Sequence, residues 1–268
     1  MIKLRSILSL GKAFELISIL ANRDFETTYK GSLLGLGWSI AQPVIMLAIY
    51  TFVFSVVFQS RWGSLGGNDK TSFAVNLFVG LICFELFSEC ANESPGLIVS
   101  NPNYVTKLRF PLEALGAAKV LTSLYKALIS LGVLFLFLIV TGHGIKMTSL
   151  FLPLVWLPLI CFTLGTSWLL AAAGVYIRDS QQVISLLTTA LVFMSGVFYP
   201  IDTLPDQWQG LFALNPLVTI INQARAVIII GKLPDLVTLL VATTASILFM
   251  ELSFRGFKRA SYSFADVL

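Results

Sequence analysis

Charge is what this 268-residue chain has least of. Its 18 Lys and Arg and 14 Asp and Glu make up 12% of the residues, against 56% hydrophobic ones and a mean hydropathy of +0.85. A soluble domain carries about twice that charged share, so a water-soluble globular protein is excluded and an all-α, polytopic membrane protein is indicated. No GxxxxGK[ST] run occurs, so this chain has no recognisable phosphate-cradling loop for ATP. The three cysteines, Cys83, Cys90 and Cys161, lie in apolar segments without CxxC spacing and read as small packing residues. The only histidine, His143, has no acid near it in sequence and suits neither a catalytic base nor a metal site. Aspartates are scattered singly, not in the pairs that a magnesium-dependent lipid transferase needs. An enzyme is therefore disfavoured, and no metal or cofactor is assigned to this chain. Any active transport draws its energy from elsewhere. The net charge of +4 reads as basic cytoplasmic loops, with no call for a nucleic acid.

What the chain has instead is long apolar runs. Six are read as spans: 39–58, 73–100, 120–141, 149–176, 183–198 and 233–254. The first, entered through a polar, glycine-punctuated approach and Trp38, is the stretch around which the rest is organised. Its 20 or so residues match a hydrocarbon core of ~30 Å at ~1.5 Å per residue. The fourth is long and holds Pro153 and Pro158, and the fifth is short for a full crossing. Residues 4–21 alternate at helical spacing between Leu4, Ile7, Leu8 and Phe14 on one side and Arg5, Ser9, Lys12 and Glu15 on the other. Lys12 and Glu15 interrupt any signal-peptide core, so this is an amphipathic helix lying in the interface. Residues 199–232 are too long and too apolar for a loop, which suggests short re-entrant or interfacial gate helices. With both termini inside, 13 of the 18 basic residues fall on the cytoplasmic side and 5 (Arg61, Lys70, Lys146, Arg225, Lys232) outside, which supports that orientation.

Glu85, Glu89 and Glu93 are spaced four apart and share a face of the second span. Lys126 on the third span is the candidate partner of Glu85, and a structural pair and a place in a transport path both stand as readings. Arg23 and Lys30 are the cations nearest the first span. They read either as donors to a phosphate head group or as ordinary positive-inside anchors. In the connection 101–115, Asn101-Pro102 suits a turn and Phe110-Pro111 a restart of helix. Lys107, Arg109 and Lys119 mark it as cytoplasmic.

Three groups of residues resemble one family: Arg23, Tyr29-Lys30-Gly31-Ser32, Leu34-Gly35, Trp38 and Pro43; the run NP-x-YV-x-K-x-x-FP from Asn101 to Pro111; and YIRDSQQV from Tyr176 to Val183. They resemble the permeases of type-2 ABC transporters that export polysaccharides, above all the O-antigen (Wzm-type) permeases, with capsule and teichoic-acid exporters as relatives. The resemblance implies a path built with a second copy of the chain, and two nucleotide-binding ATPase subunits that carry ATP and Mg. Those subunits dock at residues 101–115 through Asn101, Lys107, Arg109, Phe110 and Pro111. It implies a polyprenyl-pyrophosphate-linked polysaccharide moved outward across a bacterial inner membrane, an entrance near Arg23 and Lys30 beside the interfacial helix, and an outer gate within 199–232. A large sugar chain needs a wide, wet path, and aromatic rings stack weakly and repeatedly on sugar faces. Tyr50, Phe54, Phe58, Phe193, Phe198 and Tyr199 are the candidates, each equally readable as packed or lipid-facing. A lipid- or drug-exporting permease stays open as an alternative. So does a proton-coupled secondary transporter using Glu85 and Glu89, although no inverted repeat is evident.

Overall fold

The structure, a computed structural model, describes residues 2–57, 72–106, 110–203 and 205–267, without the side chains of residues 2–10, 55, 106, 202, 206, 211 and 213. Phe58, Lys107 and Arg109 lie outside the described residues. Those described are helical, with no strand among them. The helices are α1 (Ile2–Tyr29), α2 (Trp38–Thr51), α3 (Ser72–Glu93), α4 (Gly96–Val99), α5 (Pro102–Thr106) and α6 (Glu113–Val140), followed by α7 (Leu152–Tyr176), α8 (Ser180–Met194), α9 (Asp206–Ala213), α10 (Pro216–Arg225), α11 (Leu236–Ser261) and α12 (Phe264–Val267). Among the described residues, five stretches are long and apolar enough to cross a membrane: Gly35–Phe54, Ser72–Glu93, Glu113–Val140, Met147–Tyr176 and Leu236–Ser261.

The centre of the bundle is α3, not the first span. Apart from the face that carries Glu85, Glu89 and Glu93 it is apolar around its circumference, and 16 of its 22 residues are buried, as expected of a helix surrounded by others. The helices α2, α6, α7, α8 and α10 all pack on it. α2 is peripheral, with Ile40, Val44, Ile45 and Ile49 exposed. Its helical path begins in a 3-10 turn at Gly35–Gly37, which leaves Pro43 well inside the helix. The most extensive helix pair, α7 with α11, closes over Gly165, where a Cβ would sit 2.9 Å from the Met250 Cα. Small residues let backbones approach in this way inside membranes.

Several element ends differ from the sequence reading, each for a local reason. α1 continues eight residues past 21, because nothing breaks it before Gly31 takes a left-handed φ of +85°. Its Leu20 and Ala21 are buried, and the Ala21 carbonyl accepts from the Thr122 hydroxyl at 3.3 Å, so α1 is docked on α6. The second span stops at Glu93 rather than 100, since Pro95 lacks an N–H and α4 starts anew. α6 begins at Glu113, seven residues before 120. α8 has 15 residues and ends in a turn at Gly196, whose φ is +63°. α11 runs on to Ser261, so Arg255, Lys258 and Arg259 lie within it. Its start is capped by Asp235, whose carboxylate accepts from the Val237 N–H at 3.2 Å and from the Thr238 hydroxyl.

The region 199–232 folds into α9 and α10, with α10 continuing as a π turn over Ala226–Ile230. Asn215 caps α10 by accepting from the Leu217 N–H at 3.0 Å, and Pro216 occupies its first turn. This region lies at the end of the bundle opposite α12: Arg225 reaches Asn76 near the start of α3, whereas α12 packs against α5, which follows the end of α3.

Candidate functional site

At the end bearing α12, the connection between α3 and α6 is a compact unit. Tyr104 on α5 stacks on Phe110, with ring centroids 4.5 Å apart and planes 22° apart. Arg23 of α1 donates to the Tyr104 hydroxyl at 3.3 Å. Asn101 turns its amide back to the Leu97 carbonyl at 3.0 Å, and the Pro111 carbonyl accepts from the Ala114 N–H at 2.9 Å to restart the helix. Of the coupling candidates, Asn101, Phe110 and Pro111 thus shape one loop. From the other end of the chain, α12 packs against α5, and its Phe264 is fully buried beside Tyr176 and Phe257. In the turn before α8, Asp179 stands at the cap position but its side chain caps nothing, because its φ and ψ of −83° and 0° are not the extended pair that capping needs.

Above this loop lies a cluster of charge. Lys119 is 3% exposed, and its Nζ lies 2.5 Å from Glu93, 3.1 Å from Asp24 and 3.6 Å from Glu89. Lys126 pairs with Glu89. The expected partnership of Glu85 with Lys126 is therefore corrected. α3 and α6 run antiparallel, so Glu93 meets Lys119 and Glu89 meets Lys126. The next rung sets Glu85 against Ser130, and among the described residues Glu85 makes no ion pair. Glu89 and Glu93 hold α6 through these lysines. Arg23 and Lys30 are not brought together: Arg23 serves Tyr104, while Lys30 is exposed in the turn after α1.

Beside the cluster, α2, α3, α6 and the end of α1 enclose a cavity of about 370 Å³. Glu85, Glu89, Lys126, Gln42, Asn92 and Tyr29 are among its lining groups. Burial raises the Tyr29 phenol above its ordinary range, with Lys126 opposing, so it stands there as a neutral hydroxyl. Pro43 also lines the cavity, and having no N–H it deprives the Ser39 carbonyl, one turn earlier, of its helical donor. Asn92 is held in place by the Thr188 hydroxyl of α8, which donates to it at 2.8 Å.

At the opposite end, Arg225 was counted as an outer loop cation, and this too is corrected. It is 4% exposed and donates to the carbonyls of Asn76 at 3.0 Å, Gly196 at 2.9 Å and Val197 at 2.9 Å. One guanidinium thus ties α10 to both α3 and the turn after α8. Gly80 makes the room: a Cβ there would sit 2.7 Å from Nη2. Neither Arg225 nor Lys119 carries a sequence signal that separates it from a surface cation.

The five described aromatic path candidates do not form one lining. Phe193 and Phe198 stack at 5.2 Å, and the Tyr199 hydroxyl donates to the Phe193 carbonyl at 2.6 Å, so three of them cluster at the turn beyond α8. Tyr50 of α2 and Phe54 of the π turn Phe52–Val57 that follows it pack on the main core, with Phe54 stacked on Phe73 at 4.7 Å.

Residues 15–229 match the ABC-2 type transporter family. The chain is 28% identical over 253 residues to the O-antigen export system permease protein RfbA of Myxococcus xanthus, covering 94% of each chain. It is 26% identical over 262 residues to the protein of the same name from Klebsiella pneumoniae, covering 97% of each. To the polysialic acid transport protein KpsM of Escherichia coli it is 28% identical over 220 residues, covering 81% of this chain and 82% of that one. A multi-pass helical bundle matched by the family over most of its length leaves one assignment: the chain is a membrane component of the ABC-2 type transporter family.

Proposed function

We propose that this chain is the permease subunit of an ATP-driven polysaccharide exporter. In this reading it works as a pair of copies with two ATPase subunits and moves an O-antigen-like, polyprenyl-pyrophosphate-linked glycan out across a bacterial inner membrane. Both termini then face the cytoplasm. The observation that carries the reading is likeness to O-antigen export permeases along 94–97% of both chains, not in one motif. The geometry supports it. The loop from Asn101 to Pro111 is clamped by the Tyr104–Phe110 stack and linked through Arg23 to α1, so a push on the loop reaches the bundle. ATP hydrolysis, with its Mg, belongs to the partner. Lys107 and Arg109 are the cations offered to it, and Arg23 and Lys30 remain the candidates for meeting the lipid pyrophosphate.

The test is co-purification with the ATPase encoded beside this chain, with ATP turnover and glycan export assayed in vesicles. Export should need both subunits, and Phe110→Ala or Arg109→Ala should leave ATP turnover but lower export at least tenfold. A chain that exports alone, without ATP, would sink the proposal.

A further inference from the structure

We propose that the cavity enclosed by α2, α3 and α6 is a saccharide site that takes up neutral hydroxylated units of the exported glycan, and that the lipid pyrophosphate stays outside it. This rests on the export reading above. Charge decides against phosphate. Glu85 and Glu89 both line the cavity, and the one ammonium there, Lys126, is already committed to Glu89. An anion entering would meet two carboxyl groups and no ammonium free to receive it, inside the membrane, where charge is poorly screened. The other lining groups are those that exchange hydrogen bonds with hydroxyls. Gln42 supplies an amide, Ser39 and Ser130 hydroxyls, and Glu85 carboxylate acceptors that no ion pair among the described residues occupies. Ser39 adds the carbonyl that Pro43 leaves without a helical donor. The volume, about 370 Å³, falls within the ~300–1,000 Å³ typical of small-ligand pockets. A purely structural cleft of this size inside a membrane bundle has no need of an unpaired carboxylate, which is costly there and usually faces a water-filled path or a partner.

The test uses the permease–ATPase complex in nanodiscs and a polyprenyl-pyrophosphate trisaccharide labelled in its sugars. Ser130→Cys in the cavity and Leu240→Cys on the exposed face of α11 are each fitted with a photoreactive benzophenone. The native Cys83 and Cys90 are buried, and the parent complex measures any background from Cys161. Label is expected at position 130 at least tenfold above position 240. It should fall severalfold with Glu85→Gln or Gln42→Leu and resist an excess of sugar-free polyprenyl pyrophosphate. Equal labelling at both positions overturns the site. Competition by sugar-free polyprenyl pyrophosphate would instead mean phosphate recognition, and competition by phosphatidylethanolamine would mean capture of a lipid amine. Either result also overturns it. ATP-driven uptake of the same probe into vesicles is read separately. Uptake without labelling at 130 rejects the saccharide site alone, whereas absence of uptake rejects the export reading.

Discussion

Replacing Lys119 by methionine removes the one cation that α6 sets among Asp24, Glu93 and Glu89, at 3.1, 2.5 and 3.6 Å. Lys126 can neutralise only Glu89, so Asp24 and Glu93 are left facing each other across α1 and α3. Breaking a buried ion pair from one side costs about 3–5 kcal/mol. Glu93 and Asp24 are 51% and 42% exposed, so water screens part of the loss, and about 3 kcal/mol is the figure to expect. At roughly 2–4 °C per kcal/mol for a chain of this size, that is a fall of about 6–12 °C in Tm. It is readable from tryptophan fluorescence on the purified permease in nanodiscs. Glu93→Gln alone should lose about 1 kcal/mol or less, because its carboxylate is half in water. The double variant Lys119→Met/Glu93→Gln should be more stable than the sum of the two changes by about 1 kcal/mol, since one stranded carboxylate is gone. A Lys119→Met protein melting within about 2 °C of the parent would refute the reasoning and make the cluster a surface decoration.

Three further outcomes follow from single contacts. Gly80→Ala should loosen the packing of α10 on α3, because its Cβ would sit 2.7 Å from the Arg225 guanidinium, whereas Gly132→Ala, with nothing within 4 Å, should be silent. Amide exchange in α10 and at Gly196–Val197 checks it. Gly174→Ala should disrupt the α7 contact with the loop after α3, since a Cβ there overlaps the Pro95 carbonyl; loss of folded yield, spared by Gly256→Ala, is the readout. The third concerns pH. The Thr238 hydroxyl and the N–H groups of Val237 and Thr238 hold the Asp235 carboxyl below its ordinary value. The cap therefore contributes fully above about pH 4 and weakens as pH falls through that lowered value. Amide protection factors at the start of α11, corrected for the intrinsic pH dependence of exchange, should fall in acid in the parent and change little with pH in Asp235→Asn.

What the sequence made legible is what is local. The apolar run beginning at Trp38, the Asn-Pro turn and the Phe110-Pro111 helix restart depend on neighbours a few residues away, and the chain folds there as periodicity and proline chemistry require. What it hid depends on register between distant helices. Lys119 lies 95 residues from Asp24, and Arg225 lies 149 residues from the Asn76 carbonyl it grips. In sequence both read as ordinary interfacial cations. The pairing of Lys126 with Glu89 instead of Glu85 turns on one step of the antiparallel ladder between α3 and α6, and no pattern within either helix sets that step. The hub role of α3 was visible in principle, because a span with carboxylates on one face and apolar residues around the rest has no face to give to lipid alone.

The shortness of α8 has a consequence for the lipid around it. Fifteen residues rise about 22 Å, some 8 Å less than the ~30 Å of a relaxed hydrocarbon core. Val183, Leu186, Leu187 and Phe193 all lie exposed along that reduced height. Acyl chains beside α8 must compress or splay to match it, at a cost of fractions of a kcal/mol for each ångström of mismatch. Where that face meets lipid, the apolar barrier to a polar cargo would be thinner than along the longer helices.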